Sequence, residues 1–333
     1  MKNFKKTIHT ILAISFIFCM VIAGYNYFKD EFCVFHKITQ SSVNKKYFWP
    51  NERMLKTKYI LQNPSKYDSF LFGSSKANKM SLRNVKNGKW FNSYLAMNSL
   101  DETLLLLKIY EKNNVKIKNI LLQMSDENFR ERPVDYYEYF DKNMIYARFP
   151  DTLSQKLYFY GWYLLVLPDF SKNKRDIYAD DCKKNVLIDG SCTFPPSETH
   201  IVRPDFKGNF NSFPNLEESE PYNDYWITPL KQIVDFCTEK NINLTVIIAP
   251  ETYDLYKAYD QNEVKKARKQ LAKLTSYYDF SGKNEITQNP YCFFDYSHLN
   301  EYTSNLIIDR VFNQNPNNPP KIKDFGNFVK KIN

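Results

Sequence analysis

Ser69-Phe-Leu-Phe-Gly73-Ser74-Ser75 is a short apolar run that breaks at a Gly-Ser-Ser turn. A run this short, closed by a glycine, reads as a buried strand entering a turn. Working outward, Trp90–Tyr94 reads as a second strand and Ile117–Met124 as a third. Between them, Ser99 or Asp101 caps a helix in which Leu104, Leu105, Leu107 and Ile109 recur at helical spacing up to Asn113. Strands alternating with helices are the grammar of an α/β fold, here a doubly wound, mainly parallel sheet.

The alternation resumes near the C-terminus. Pro229–Lys240 is an amphipathic helix, Leu244–Ala249 a strongly apolar strand, Asn262–Leu274 a helix and Tyr277–Phe280 another strand. A last helix is expected from His298 to about Phe312, ended by the polar, proline-rich Asn313–Pro320. Residues 130–220 interrupt the pattern with aromatic runs, and an insertion there suits a lid or a substrate-binding subdomain. The run Leu157–Val166 within it reads as core helix. Residues 29–65 lack periodicity and read as a stalk packed on the domain.

Thr7 to Phe28 holds no charged residue if His9 is neutral. As a helix these positions span about 33 Å, close to the thickness of a bilayer core. Residues 1–28 therefore read as a membrane anchor. Lys2, Lys5 and Lys6 precede the apolar stretch, which puts the N-terminus in the cytoplasm and the body of the chain outside. A cleaved signal peptide shares the charged start and apolar middle, but Ala23-Gly24-Tyr25 is a poor cleavage site.

The chain of 333 residues carries a net charge of +9. Three of those charges are Lys2, Lys5 and Lys6. Three more are the excess of Lys321, Lys323, Lys330 and Lys331 over Asp324, in a basic tail at 313–333. That leaves the body nearly neutral, which argues against nucleic acid and for phospholipid head groups or anionic surface polymer as what the two ends meet. Cys182 and Cys192 lie in one polar loop and suit a disulfide in an oxidising exterior, with two free thiols as the alternative. No CxxC or Cys/His cluster supports a metal site.

Phe293-Phe-Asp295-Tyr-Ser-His298 supplies the chemistry that the first segment lacks. A serine nucleophile needs a base, and the base needs a carboxylate to orient it. Asp295, three residues before His298, can hold one ring nitrogen and leave the other to take the Ser75 proton. Each segment alone is equally a turn or a helix cap. Ser75, Asp295 and His298 acquire a catalytic reading as a set, in the right order on an α/β sheet. The Ser75 amide, expected at the start of the helix that follows the strand, would also favour a developing negative charge.

On these residues the chain resembles the SGNH (GDSL-like) hydrolases, chiefly their membrane-anchored extracytoplasmic branch, whose members act in D-alanylation of teichoic acids and acetylation of exopolysaccharides. The likeness rests on Tyr67–Ser75, Ile242–Pro250, Tyr278-Asp-Phe-Ser-Gly282 and Phe294–His298, and spans roughly residues 65–312. It implies an SGNH/flavodoxin-like domain over 66–312, with Ser75 as nucleophile and no cofactor. It further implies a cell-surface glycan or polymer as substrate and a polytopic membrane acyltransferase as partner. The family's second block carries a glycine that donates to the oxyanion, and Phe91–Ser99 has none; backbone donors at Met97 or Asn98 are the substitutes. Met124-Ser-Asp126-Glu-Asn128 stands where the family has Gly-x-Asn-Asp, making Asp126 a third oxyanion candidate. Esterase and acyltransferase share the acyl-enzyme at Ser75 and are not separated by these motifs. A catalytically silent, anchored accessory protein is the reading from another class.

Overall fold

The sheet is built around Asn119–Met124 (β3), six residues that are buried along their whole length. Only a strand covered on both faces can be apolar throughout. The computed structural model describes residues 2–44, 51–133, 135, 147–167, 185–192, 210, 213–216, 220–312 and 322–332. Ser69–Phe72 (β1) pairs with β3 on one side and with Trp90–Asn92 (β2) on the other. Asn243–Ile248 (β4) and Tyr277–Asp279 (β5) extend the sheet beyond β3. All these pairings are parallel. Asn327–Val329 (β6) then adds antiparallel to β5, giving the order β2-β1-β3-β4-β5-β6.

Side chains alternate across the pleat. Phe70, Phe72, Ile120, Leu122, Val246 and Ile248 belong to one core with residues of Glu52–Gln62 (α3), Leu100–Lys112 (α4), Ile227–Glu239 (α6) and Gln261–Leu274 (α8). Leu71, Leu121 and Ile247 belong to a second core with Ile307 and Ile308 of Glu301–Phe312 (α9). Truncating any of these to alanine should cost about 2–5 kcal/mol. The strands and helices expected from periodicity are present, most with ends shifted by one or two residues, while the last helix begins at Glu301, three residues after the expected start at His298. Ser99, rather than Asp101, caps α4 by accepting from the Glu102 amide.

Three features depart from the sequence reading. Inside the stretch read as stalk, α3 places Leu55, Tyr59 and Ile60 in the main core. Inside the basic tail, β6 forms, and the left-handed Gly326 (φ 75°) precedes it where a Cβ would strike the Phe280 ring at 2.5 Å. The third departure is the aromatic run, which forms a helix, Leu153–Leu165 (α5), that is covered on one face only. Phe159 and Tyr163 are buried with Val34 and Met54, but Leu153, Leu157 and Leu165 are exposed.

Lys2–Lys29 (α1) is one helix, and its Phe4–Lys29 portion is long and apolar enough to cross a membrane. Its large apolar side chains, Ile14, Phe16 and Val21 among them, are exposed. Two short helices, Gln40–Asn44 (α2) and Tyr253–Ala258 (α7), complete the set. Cys192 is disulfide-bonded; Cys182, its expected partner, lies outside the described residues.

Candidate active site

β1 ends at Phe72, and the chain turns sharply through Gly73 and Ser74 into a 3₁₀ turn at Ser75–Ala77. Gly73 is demanded by space rather than by a left-handed backbone. A Cβ there would lie 2.5 Å from Gln123 Oε1 and 3.2 Å from the Ala77 Cβ. Gln123, near the end of β3, accepts from the Ser74 amide at 2.9 Å and so clamps the turn. Ser75 is thereby presented, half-buried, at the carboxyl end of the sheet between β1 and β3. Strand connections leave in opposite directions there and open a crevice.

The other half of the site is a loop pinned at both ends. Phe293 and Leu299 form an antiparallel bridge, both buried, and the Phe294 amide donates to the His298 carbonyl at 2.8 Å. Within the loop, Asp295 Oδ1 accepts from the amides of Ser297 and His298, each at 2.8 Å. The same carboxylate meets His298 Nδ1 at 2.8 Å through Oδ2. With Nδ1–H directed at Asp295, Nε2 is left as the acceptor, and it lies 2.8 Å from Ser75 Oγ. Burial opposes the charge on Asp295, but hydrogen bonds from His298 and the two amides hold its carboxyl well below the usual range. A carboxylate that stays ionised is what orients the imidazole and stabilises imidazolium. Ser75, His298 and Asp295, chosen from sequence, stand as one connected relay.

The three oxyanion candidates are placed differently. The amide of Ser75 itself engages no acceptor among the described residues. Met97 sits in the left-handed region (φ 55°), its side chain exposed and its amide likewise without an acceptor among the described residues. Its loop is tied to the nucleophile turn by the Leu95 amide, which donates to the Gly73 carbonyl at 3.0 Å. The Asn98 amide donates to the Leu95 carbonyl, and its Nδ2 donates to Thr103 Oγ1 at 2.9 Å. Asp126 pairs with Arg268 at 3.0 Å and accepts from the Tyr222 hydroxyl at 3.4 Å. The Asn128 carboxamide accepts from the Ser125 amide at 2.8 Å and donates to Glu131 at 2.5 Å.

Two groups escaped the sequence reading. Lys76, the residue after Ser75, is buried and paired with buried Glu251, and it lies 3.2 Å from Glu127. Burial opposes its charge, yet the carboxylates of Glu127 and Glu251 together hold the ammonium above the ordinary lysine range. Glu127 is held low in turn, by Lys76 first and in smaller part by His298, so it stands beside the relay. The other group is Gln123, whose Nε2 is buried without a hydrogen-bond partner among the described residues. A glutamine inside the apolar run Asn-Ile-Leu-Leu-Gln-Met was the legible signal, because a buried carboxamide is costly unless it has work to do.

A cleft of about 390 Å³ is lined by Phe210, Thr252, Tyr253, Asp254, Gln288 and Tyr296 among others, and none of Ser75, Asp295 and His298 lines it. Tyr296 is part of the Asp295–His298 loop, and its carbonyl accepts from both the amide and the hydroxyl of Thr252 at 3.0 Å. Thr252 follows Glu251, the partner of Lys76, so one short covalent and hydrogen-bonded path joins the cleft to both halves of the site. Among the described residues no group of three or more His, Cys, Asp or Glu is placed to hold a metal ion. No protein-family model matches the chain, and no curated protein matches it either.

Proposed function

We propose that this protein is a serine-dependent O-acyl esterase or O-acyltransferase, built on a doubly wound SGNH-like domain and acting on a cell-surface glycan or polymer. The single observation behind this reading is the Ser75–His298–Asp295 relay, with both contacts at 2.8 Å. The strand order, the two packed faces and the position of Ser75 after β1 support the fold part of the reading.

In the first half-reaction Ser75 Oγ attacks the acyl carbonyl while His298 Nε2 takes the hydroxyl proton. The negative charge on the former carbonyl oxygen faces the amides of Ser75 and Met97. Collapse breaks the ester C–O bond, and His298 returns the proton to the leaving alkoxide. In the second half-reaction water or a sugar hydroxyl attacks the acyl-Ser75 ester, with His298 again taking and returning the proton. Water gives an esterase and a sugar hydroxyl gives a transferase. The apolar α1 would hold this domain on the extracytoplasmic face of the membrane, where a polytopic membrane acyltransferase could hand over the acyl group.

The lining of the cleft at Tyr296 fits a sugar ring. Tyr253, Tyr296 and Phe210 offer aromatic surface to C–H faces, and Gln288, Asp254 and Thr252 offer hydrogen bonds to hydroxyls. The test is fluorophosphonate labelling of the purified protein together with turnover of acylated oligosaccharide. Labelling and turnover are expected in the wild type and absent in Ser75→Ala, with His298→Ala losing about 10³-fold or more. A folded protein that neither labels nor turns over acyl ester is the silent, anchored accessory protein instead. The spent carboxamide of Asn128 is the feature that favours that second reading.

A further inference from the structure

The helix α5 is apolar on two opposite faces, and only one of them is covered. Phe159 and Tyr163 pack into the cluster with Val34 and Met54. On the other side Leu153 is 73% exposed, Leu157 68% and Leu165 52%, and Leu167 just past the helix is 69% exposed. A helical period puts Leu153, Leu157 and Leu165 on one stripe, roughly opposite Phe159 and Tyr163. An apolar stripe of this length facing water is unfavourable, and a helix apolar all round belongs in a core or in lipid.

The structure also fixes where that stripe sits. α5 packs directly against α1. The Asn26 side chain donates to the carbonyls of Leu164 and Val166, each at 2.8 Å. Asn26 is only two residues before Phe28, the last residue of the apolar stretch, which places it about 3 Å along the helix from that end. The C-terminal end of α5 is thus level with the outer end of the membrane-spanning helix. Phe28 is 80% exposed at the same level, with Tyr25 and Tyr27 beside it, the composition of an interfacial aromatic belt. The two Asn26 bonds remove a specific obstacle. Terminal helix carbonyls cannot be left bare against acyl chains, and here those of Leu164 and Val166 are satisfied from within the protein. Lys156 is the one charged residue on α5, and its long stem can lift the ammonium to the head groups.

We infer that α5 is an in-plane membrane helix, its Leu153/Leu157/Leu165 face inserted at the head-group and acyl-chain boundary of the leaflet from which α1 emerges. The occupant of the face is bilayer lipid, because the helix that carries it packs against a helix that is itself long and apolar enough to span. Two contacts with the membrane, instead of one tether, would hold the body of the protein at a set height and orientation.

The test uses the full chain in vesicles of phosphatidylcholine and phosphatidylglycerol. p-Benzoylphenylalanine replaces, one at a time, Leu153, Leu157, Leu165, Leu12 of α1 and the exposed Lys257 of α7; all five side chains point outward, so folding is kept. After irradiation, lipid adducts are measured by mass spectrometry. Adduct yields at 153, 157 and 165 within about threefold of Leu12, and at least about tenfold above Lys257, are expected for a helix in the acyl region. Yields no higher than at Lys257 overturn the inference, and so do cross-links to a second copy of the chain or to another protein. Should Leu12 also give no lipid adduct, the membrane-spanning reading of α1 fails with it.

Discussion

The ammonium group of Lys76 is buried against the carboxylate of Glu251, although Lys76 is the immediate neighbour of the candidate nucleophile and Glu251 lies 175 residues on. The pair fastens the turn after β1 to the loop after β4, and Tyr259 completes it by donating to the second Glu251 oxygen at 2.7 Å. Removing one partner of a buried ion pair leaves a charge without compensation. Lys76→Met should therefore destabilise the protein by about 3–5 kcal/mol in denaturant unfolding. Lys76→Met with Glu251→Gln should recover a large part of that loss. A double variant as unstable as the single would show that the pair is not the unit that matters.

The contact of Gly73 with Gln123 makes a sharper prediction about rate. Gly73→Ala forces a methyl group to within 2.5 Å of the carboxamide that clamps the Ser74 amide. Displacement of Ser75 by a fraction of an ångström should slow fluorophosphonate labelling by about 10-fold to 10²-fold, since misplacement of reacting groups by 1 Å costs on that scale. Gln123→Ala frees the space but loses the clamp, so Gly73→Ala/Gln123→Ala should label no faster than Gln123→Ala alone. Labelling of Gly73→Ala at the wild-type rate would show that the turn tolerates the methyl group.

On the proposed function, the cleft at Tyr296 predicts a split between two substrates. Tyr253→Ala and Gln288→Ala should each lower kcat/KM for an acylated oligosaccharide about tenfold, through KM. Turnover of a small aryl acetate, which needs only the relay, should stay within about twofold of wild type. Equal losses on both substrates would move the sugar subsite elsewhere.

Glu131 sets a pH dependence of stability whose sign is fixed. Burial pushes its carboxyl up to about 7 from an ordinary 4.5, against hydrogen bonds from Asn128 and the Leu100 amide. The folded state then binds more protons than the unfolded state between these values, so stability falls as pH rises through that window. The fall is at most about 3 kcal/mol for a shift of this size. Asp295 acts in the opposite sense. Its carboxyl is held low, so its contribution is present above the unfolded carboxylate range and is lost as pH drops below it. Urea midpoints measured from pH 4.5 to 7.5 should decline in the wild type more steeply than in Glu131→Gln. Parallel slopes would show that Glu131 does not titrate in that range.

Much of this architecture is legible in the chain because it is local. Ser69–Gly73 declares a buried strand by its run of apolar residues, α4 and α8 declare themselves by spacing, and α4 also by a cap at Ser99 or Asp101, of which the structure uses Ser99. Ser75, Asp295 and His298 were legible for a different reason: few residue types do this chemistry, and the chain has only four histidines. The asparagine box at 124–128 was less informative. Asn128 turns its carboxamide back on Ser125 and Glu131, and nothing in the residue order shows which partner it takes.

Sequence by itself determined strands β1 to β5, helices α4, α6, α8 and α9, the apolar span of α1 and the choice of Ser75, His298 and Asp295 as a candidate set, since periodicity, propensity and side-chain chemistry are properties of short segments. Tertiary structure alone decided three further matters. It brought Ser75 Oγ to 2.8 Å from an imidazole 223 residues away. It drew Lys76, Glu251 and Gln123 in around the nucleophile turn. It also left one face of α5 uncovered beside α1, where a core helix was expected. Each of these depends on which surfaces the sheet has already buried, and burial is a property of the whole packed chain.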